Sequence, residues 1–252
     1  MPDDDGPLGP PLKSAVRRFR DHHHLVVERA PGTTVAERYR SLAVNLSQAR
    51  KTDEGQIVVI TSSVPEEGKT LTALNLAVAQ AENQATPTLL IDADMRRPSL
   101  TQFLEPPAGL GLAEVLAGSV SLENALTRIE NSNLWVLPAG QNTNKPLALL
   151  RPATLEPLFA ELRRTFRQTV IDTPPVVPFS DANRLGVCAD GAILVARAAH
   201  TTKPIFDRAL DSLVGVRLLG AILTDTSVTP LDRYYYRYDE SNPYASRGAE
   251  SA

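Results

Sequence analysis

The feature that most constrains this chain is a short β-branched run that leads directly into a Gly-Lys-Thr turn. Ile57-Val58-Val59-Ile60 is followed by Thr61-Ser62-Ser63-Val64-Pro65-Glu66-Glu67-Gly68-Lys69-Thr70, and a helical pattern covers residues 73–81. Four consecutive branched apolar residues suit a strand buried on both faces. A strand feeding a tight loop and then a helix N-terminus aims backbone N–H groups at one point, where the helix dipole favours an anion. Gly68 lets the backbone approach a phosphate, Lys69 offers charge to phosphate oxygens, and the Thr70 hydroxyl suits magnesium. Gly-Lys-Thr alone is a weak signal; its place between strand and helix makes it specific. The usual first glycine of such a loop is Ser63 here, so the strict P-loop pattern is not met.

Two further apolar runs end in carboxylates. Leu89-Leu90-Ile91 runs into Asp92-Ala93-Asp94, and Val170-Ile171 runs into Asp172-Thr173-Pro174-Pro175. More apolar runs, at 134–137, 192–195 and 218–223, alternate with helical windows at 33–50, 154–166 and 205–213. This alternation predicts an α/β fold with a parallel sheet covered by helices on both faces, in one domain. Ligands of such sheets bind at the carboxyl ends of the strands, so Asp92 and Asp172 are expected to converge on the Gly-Lys-Thr loop. A carboxylate directly after buried apolar residues is costly unless a cation pairs with it, and magnesium is the expected partner. In the 33–50 window Thr34 is the expected N-cap, with Glu37 as its capping-box partner.

Composition excludes several alternatives. With 26 basic and 29 acidic side chains, the charge of −3 gives no support for nucleic-acid binding. The single Cys188 rules out an internal disulfide framework and fits a reducing compartment. No apolar run approaches the ~20 residues of a membrane helix, and Met1-Pro2-Asp3-Asp4-Asp5 lacks the apolar core of a secretory signal. The expected location is therefore cytoplasmic.

The termini differ from the middle. Residues 1–33, rich in proline and charge, are expected to form an unfolded arm, with 34–226 as the folded domain and 227–252 as a flexible tail. The arm carries a basic stretch over 13–20 and the triplet His22-His23-His24; adjacent side chains point apart and no other ligand set accompanies them, so metal binding is not expected. Of six tyrosines only Tyr39 lies outside the last 19 residues; Tyr234, Tyr235, Tyr236, Tyr238 and Tyr244 crowd into the tail.

Taken together, Ser-Ser-x-Pro-x-Glu-Gly-Lys-Thr, Leu-Ile-Asp-Ala-Asp-Met-Arg-Arg-Pro and Val-Ile-Asp-Thr-Pro-Pro resemble the Walker A, A′ and B motifs of bacterial tyrosine kinases. These autokinases of capsule and exopolysaccharide loci are built on the MinD/ParA type of P-loop ATPase, not on the eukaryotic kinase fold. The resemblance runs from about residue 34 to 225, and the tyrosine tail matches the family's C-terminal cluster. Relatives of the MinD/ParA type carry a signature lysine early in the loop; none lies between Ser62 and Glu66, which favours the kinase branch.

The resemblance implies an ATP- and Mg²⁺-dependent protein-tyrosine autokinase that phosphorylates its own tail cluster and regulates capsule or exopolysaccharide synthesis. Lys69, Asp92, Asp94 and Asp172 are the implied catalytic residues. Ser63, Pro65, Glu67, Gly68, Lys69, Thr70 and Leu71 would hold the nucleotide, and Thr70, Asp92 and Asp172 the metal. Implied partners are further copies of the chain in a homo-oligomer, a membrane activator of the polysaccharide chain-length-determinant (Wzz-like) type that recruits the kinase to the inner face of the membrane, and a tyrosine phosphatase. The family's oligomer-contact motif Glu-x-x-Arg-x-x-Arg reads Glu37, Arg40 and Ala43 here, so its last arginine is missing. Two alternatives stand beside the kinase: a MinD/ParA-type ATPase, and a nucleotide-binding scaffold without kinase activity.

Overall fold

The computed structural model describes residues 15–20, 22–50, 54–82, 87–105, 109–141 and 145–226. The five tail tyrosines lie outside the described residues, as does the start of the N-terminal arm.

In chain order, β1 (Ala15–Phe19), α1 (Val26–Arg29) and α2 (Thr34–Gln48) precede β2 (Gln56–Ser62) and α3 (Lys69–Ala81). Then come β3 (Thr88–Asp92), a 3₁₀ turn (Leu100–Phe103), β4 (Leu104–Glu105), α4 (Leu112–Leu116) and α5 (Leu122–Ala125). The chain continues through β5 (Thr127–Ile129), β6 (Leu134–Leu137), α6 (Pro146–Leu149), α7 (Pro152–Thr165) and β7 (Gln168–Asp172). It closes with α8 (Asp181–Cys188), β8 (Gly191–Arg197), α9 (Lys203–Ser212) and β9 (Leu218–Thr224).

The strands form one sheet in the order β4-β1-β5-β6-β3-β7-β2-β8-β9. From β6 to β9 every neighbouring pair is parallel. Alternate residues of β2 point to opposite faces, as strand geometry requires. Val58 and Ile60 pack with Leu74, Leu76 and Ala77 of α3, and α2 covers α3 from outside. Ile57 and Val59 pack on the other face with Leu155, Phe159 and Leu162 of α7. Every residue of β2, β3 and β7 is buried, which accounts for their continuous apolar runs.

Three expectations need correction. The sheet is mixed: β5 pairs antiparallel with β6, and β1 antiparallel with β4. The β5–β6 turn passes through Asn131 at φ 55°, a conformation asparagine tolerates. The arm is not unfolded throughout, because β1 joins the sheet beside β5 and Phe19, Leu25 and Val27 are buried. Thr33, not Thr34, caps α2, its hydroxyl accepting from the Ala36 N–H at 3.4 Å. Glu37 pairs with Arg40 instead of completing a capping box. At the far edge of the sheet β9 is partly exposed, with Leu218 and Leu223 facing solvent.

Candidate active site

Register brings the acidic strand ends together. In the β3–β7 pairing Asp92 stands directly opposite Asp172, and in the β2–β7 pairing Asp172 stands opposite Ile60, two residues before the end of β2. The loop after β2 therefore closes over two buried carboxylates, and like charges on neighbouring strands repel unless a cation intervenes.

Lys69 is that cation in the unliganded protein. Its Nζ lies 3.3 Å from Asp94 Oδ2 and 3.6 Å from Asp172 Oδ1, and donates to Thr70 Oγ1 at 3.2 Å. Burial works against the ammonium, but Asp172 and Asp94 outweigh it and raise the Lys69 pKa. Thr70 Oγ1 donates to Asp172 Oδ2 at 2.7 Å and lies 3.2 Å from Ser99 Oγ. Burial raises the Asp172 pKa, opposed by Lys69 and the Thr70 hydroxyl.

Asp92 is held differently. Its Oδ1 accepts from the Asp94 N–H at 3.1 Å, and its Oδ2 from Ser99 and Leu100 N–H at 3.1 and 3.0 Å. Those amides fasten the loop after β3 in place. Burial, then the Asp172 charge, push its pKa up to about 7 against the two Oδ2 hydrogen bonds. Asp94 is left facing Lys69, with Oδ1 accepting from the Arg97 N–H at 3.0 Å.

The loop itself is shaped by side chains that turn inward. Glu67 is fully buried: Oε2 accepts from the Val64 N–H at 3.0 Å, and Oε1 accepts from the Thr201 hydroxyl. Its carbonyl accepts from Thr224 Oγ1 at 2.8 Å. Gly68 has φ 90°, and a Cβ there would approach Thr224 Cγ2 at 3.3 Å, so glycine answers both the turn and the close approach. Ser63, in place of a glycine, is buried with its hydroxyl unpartnered; Pro65 is exposed and Leu71 half-buried. Gly68, Lys69, Thr70 and Leu71 line a pocket of about 330 Å³ together with Ser99 and Phe103. A larger groove of about 890 Å³ lies against β1 and the end of α3, away from this chemistry.

Several supporting residues carried no motif. Thr201 and Thr224 brace the loop from beyond β8 and from the end of β9. Arg96 reaches the fully buried Asp181 with two donors at 3.3 Å and lies 4.5 Å from the Phe179 ring centre, tying the loop after β3 to the start of α8. A signal for that pair existed in Arg96-Arg97-Pro98, but its partner 85 positions away was not legible. Glu37 and Arg40 do not meet the site. Arg40 also donates to Glu82 at 2.8 Å through two nitrogens and to the Pro31 carbonyl at 2.7 Å, clamping α2 to the end of α3.

The donor set fits a magnesium ion. Three buried carboxylates face one lysine, and Asp172 Oδ1 has no hydrogen-bond partner. Among the described residues no three His, Cys, Asp or Glu side chains form a metal cage. Magnesium ordinarily takes one or two carboxylates, with phosphate and water completing its shell.

Comparison with known proteins agrees with this geometry. The chain is 32% identical over 228 residues to the tyrosine-protein kinase YwqD of Bacillus subtilis, covering 90% of this chain and 96% of YwqD. The chain belongs to the bacterial tyrosine kinases. This kinase is also 31% identical over 234 residues to the succinoglycan biosynthesis transport protein ExoP of Rhizobium meliloti, of which it spans 29%. Its fold matches the kinase domain of the Escherichia coli tyrosine kinase ETK with a TM-score of 0.73 at 26% identity, covering 81% of this chain and 82% of that domain. The cell division ATPase MinD of Pyrococcus furiosus shares the fold alone, with a TM-score of 0.55 at 23% identity, covering 73% of this chain and 80% of MinD. No protein-family model matches the chain. The kinase thus has a fold of the MinD/ParA type. Among its described residues no helix is long and apolar enough to cross a membrane.

Proposed function

We propose that this kinase uses ATP and magnesium to phosphorylate Tyr234, Tyr235, Tyr236, Tyr238 and Tyr244 of its own tail, between copies of the chain in a homo-oligomer. The observation that carries this reading is the cluster in which Lys69, Thr70, Asp94 and Asp172 meet at the Gly-Lys-Thr loop. The division follows: a folded kinase domain, now extended back to β1, and an acceptor tail over 227–252.

Thr70 and Asp172 would hold magnesium, with Asp92 supporting it from behind. Bound there, magnesium neutralises charge on the β- and γ-phosphate oxygens. Lys69 would leave Asp94 and Asp172 for the phosphates, which frees both carboxylates together. Backbone N–H groups from Ser63 to Leu71 would cradle the phosphates, and Glu67 keeps the loop in shape from inside. The tyrosine oxygen forms a bond to the γ-phosphorus, the bond to the β-phosphate oxygen breaks, and ADP leaves. The phenolic proton passes to a carboxylate. Asp94 suits this role better than Asp92, whose oxygens are already engaged by three backbone N–H groups.

Phosphorylating five tyrosines adds a charge of about −7.5 to −10 to a tail that carries five acids and three arginines from residue 225 onward. That change would expel the tail from an acidic site and loosen contacts between copies. Glu37, half-exposed beside Arg40, is the side chain of the motif best able to reach a neighbour. The name of ExoP supports a role in exopolysaccharide synthesis or export, served at the inner face of the membrane by a chain-length-determinant activator and reversed by a tyrosine phosphatase.

The test is a phosphosite map. Incubation with ATP and magnesium followed by mass spectrometry should find phosphotyrosine between residues 234 and 244, absent in Lys69→Met. ATP hydrolysis without phosphotyrosine would overturn the autokinase reading.

A further inference from the structure

The triplet His22-His23-His24 has no part in the chemistry so far, yet two of its rings border the phosphate pocket. His22 and His24 line the same 330 Å³ space as Gly68, Lys69, Thr70 and Ser99; His23 does not. The segment is fastened on both sides. The Arg20 N–H donates to the Phe103 carbonyl at 2.8 Å. Asn75 of α3, itself buried, donates from Nδ2 to the His24 carbonyl at 2.8 Å and accepts from the Val27 N–H at 3.2 Å. Leu25, fully buried, anchors the chain between those points. The His22 ring packs edge-on against Phe103 at 4.9 Å, on the 3₁₀ turn whose first amide is tied to Asp92. These histidines are therefore held against the helix that begins with Lys69 and the turn that follows Asp94.

The charge balance gives them a task. Between Ser63 and Thr70 the loop has one cation, Lys69, and it is already shared by Asp94 and Asp172. The pocket is lined by one carboxylate, Glu66, and by no cationic side chain of the loop except Lys69, so donors from outside the loop add to its hold on a polyphosphate. His22 offers one. Its Nδ1 is engaged by the His24 N–H at 3.3 Å, which leaves Nε2 as the ring nitrogen able to donate to a ligand.

We propose that His22 and His24 form an imidazole wall that contacts the phosphate chain of the bound nucleotide, as binding residues supplied by the segment before α2. This rests on the Gly-Lys-Thr loop being the nucleotide site. The wall gives the placement of residues 22–25 against α3 a function: it completes one side of the pocket.

Calorimetric titration of the full chain with magnesium and a non-hydrolysable ATP analogue tests this directly. His22→Ala and His24→Ala should each weaken Kd about three- to ten-fold, the range of one lost hydrogen bond. His23→Ala should bind as the unaltered protein does, and His24→Asn, which keeps a donor, should recover part of the loss. Melting curves within a few degrees of the unaltered protein should accompany each variant. If Kd is unchanged in both His22→Ala and His24→Ala, the wall does not touch phosphate. An unchanged Kd with reduced tail phosphorylation would likewise overturn the proposal, and assign the wall to the acceptor. Lys69→Met separates the two levels: if it binds the analogue as tightly as the unaltered protein, the loop itself is not the nucleotide site.

Discussion

Replacing Lys69 by methionine tests its role as the internal counterion of the unliganded site. The substitution keeps a long apolar stem and removes the charge that faces Asp94 at 3.3 Å and Asp172 at 3.6 Å. At an effective dielectric near 20 each contact is worth roughly 5 kcal/mol before the desolvation of the charges is subtracted. That subtraction is large, and breaking a buried pair typically costs about 3–5 kcal/mol because the remaining charge is left alone. For a domain of this size 1 kcal/mol moves Tm by ~2–4 °C, so Lys69→Met should melt roughly 6–20 °C lower without ligand. Protonation softens the loss. Burial already raises the pKa of Asp92 and Asp172, and without the lysine they rise further. A carboxyl whose folded pKa is raised stabilises the fold at low pH and loses that contribution as pH climbs through the folded value. The deficit should therefore grow as pH rises past about 7, where Asp92 of the unaltered protein has already given up its proton. Magnesium alone should then stabilise Lys69→Met more than the unaltered protein, in which the ammonium competes for the same oxygens. Calorimetric melting at several pH values, with and without magnesium, reads all three effects. A variant that melts within about 2 °C of the parent at pH 8, and ignores magnesium, would refute the counterion role.

Other substitutions probe the supports. Glu67→Ala leaves the Val64 N–H and the Thr201 hydroxyl without their charged acceptor, so it should lose about 3 kcal/mol of stability and weaken nucleotide binding, measured by melting and titration. Arg96→Ala strands Asp181 in the interior and should cost about 3 kcal/mol, part of which Asp181→Asn should restore in the double variant. In the unaltered protein the raised Asp92 pKa, about 7, makes stability fall as pH rises through neutrality. Magnesium should flatten that slope, because it favours the ionised carboxylates; a slope that magnesium leaves unchanged would place the ion elsewhere.

How much of this was legible in the sequence depended on whether the signal was local. The Gly-Lys-Thr loop and the two acidic strand ends were readable because strand, turn and helix start follow one another within a dozen residues. The convergence of Asp92 and Asp172 followed from the parallel sheet, and the register made it a direct opposition. The arm was misread for the opposite reason. Average composition over residues 1–33 is polar, but Phe19, Leu25 and Val27 find partners far along the chain; β1 pairs with β5 more than 100 positions away. The slip from Thr34 to Thr33 is smaller in kind: two adjacent threonines both offer a capping hydroxyl, and only backbone geometry chooses between them. Thr201, Thr224 and Asp181 act through distant partners, so no spacing marked them.

The end of β9 joins two parts of the proposed mechanism. Thr224, which braces the nucleotide loop through Glu67, is also the last strand residue before the tail. The next residue, Asp225, is held by Arg197 at 2.9 Å and has φ 56°. The chain therefore departs from the ligand end of the sheet. Tyr234 follows Asp225 by nine residues, a span of at most about 30 Å when fully extended. Such a tether keeps the acceptors near active sites at an effective concentration in the millimolar range, for its own site or for that of an adjoining copy. The two cases separate on dilution. Transfer between copies requires assembly, so the initial rate of phosphotyrosine formation per chain should fall about in proportion to protein concentration once light scattering shows monomers. Transfer within one chain gives a rate per chain that dilution does not change. A constant rate among monomers would refute acceptance between copies, while leaving the tail as substrate and the Lys69, Thr70 and Asp172 cluster as the site.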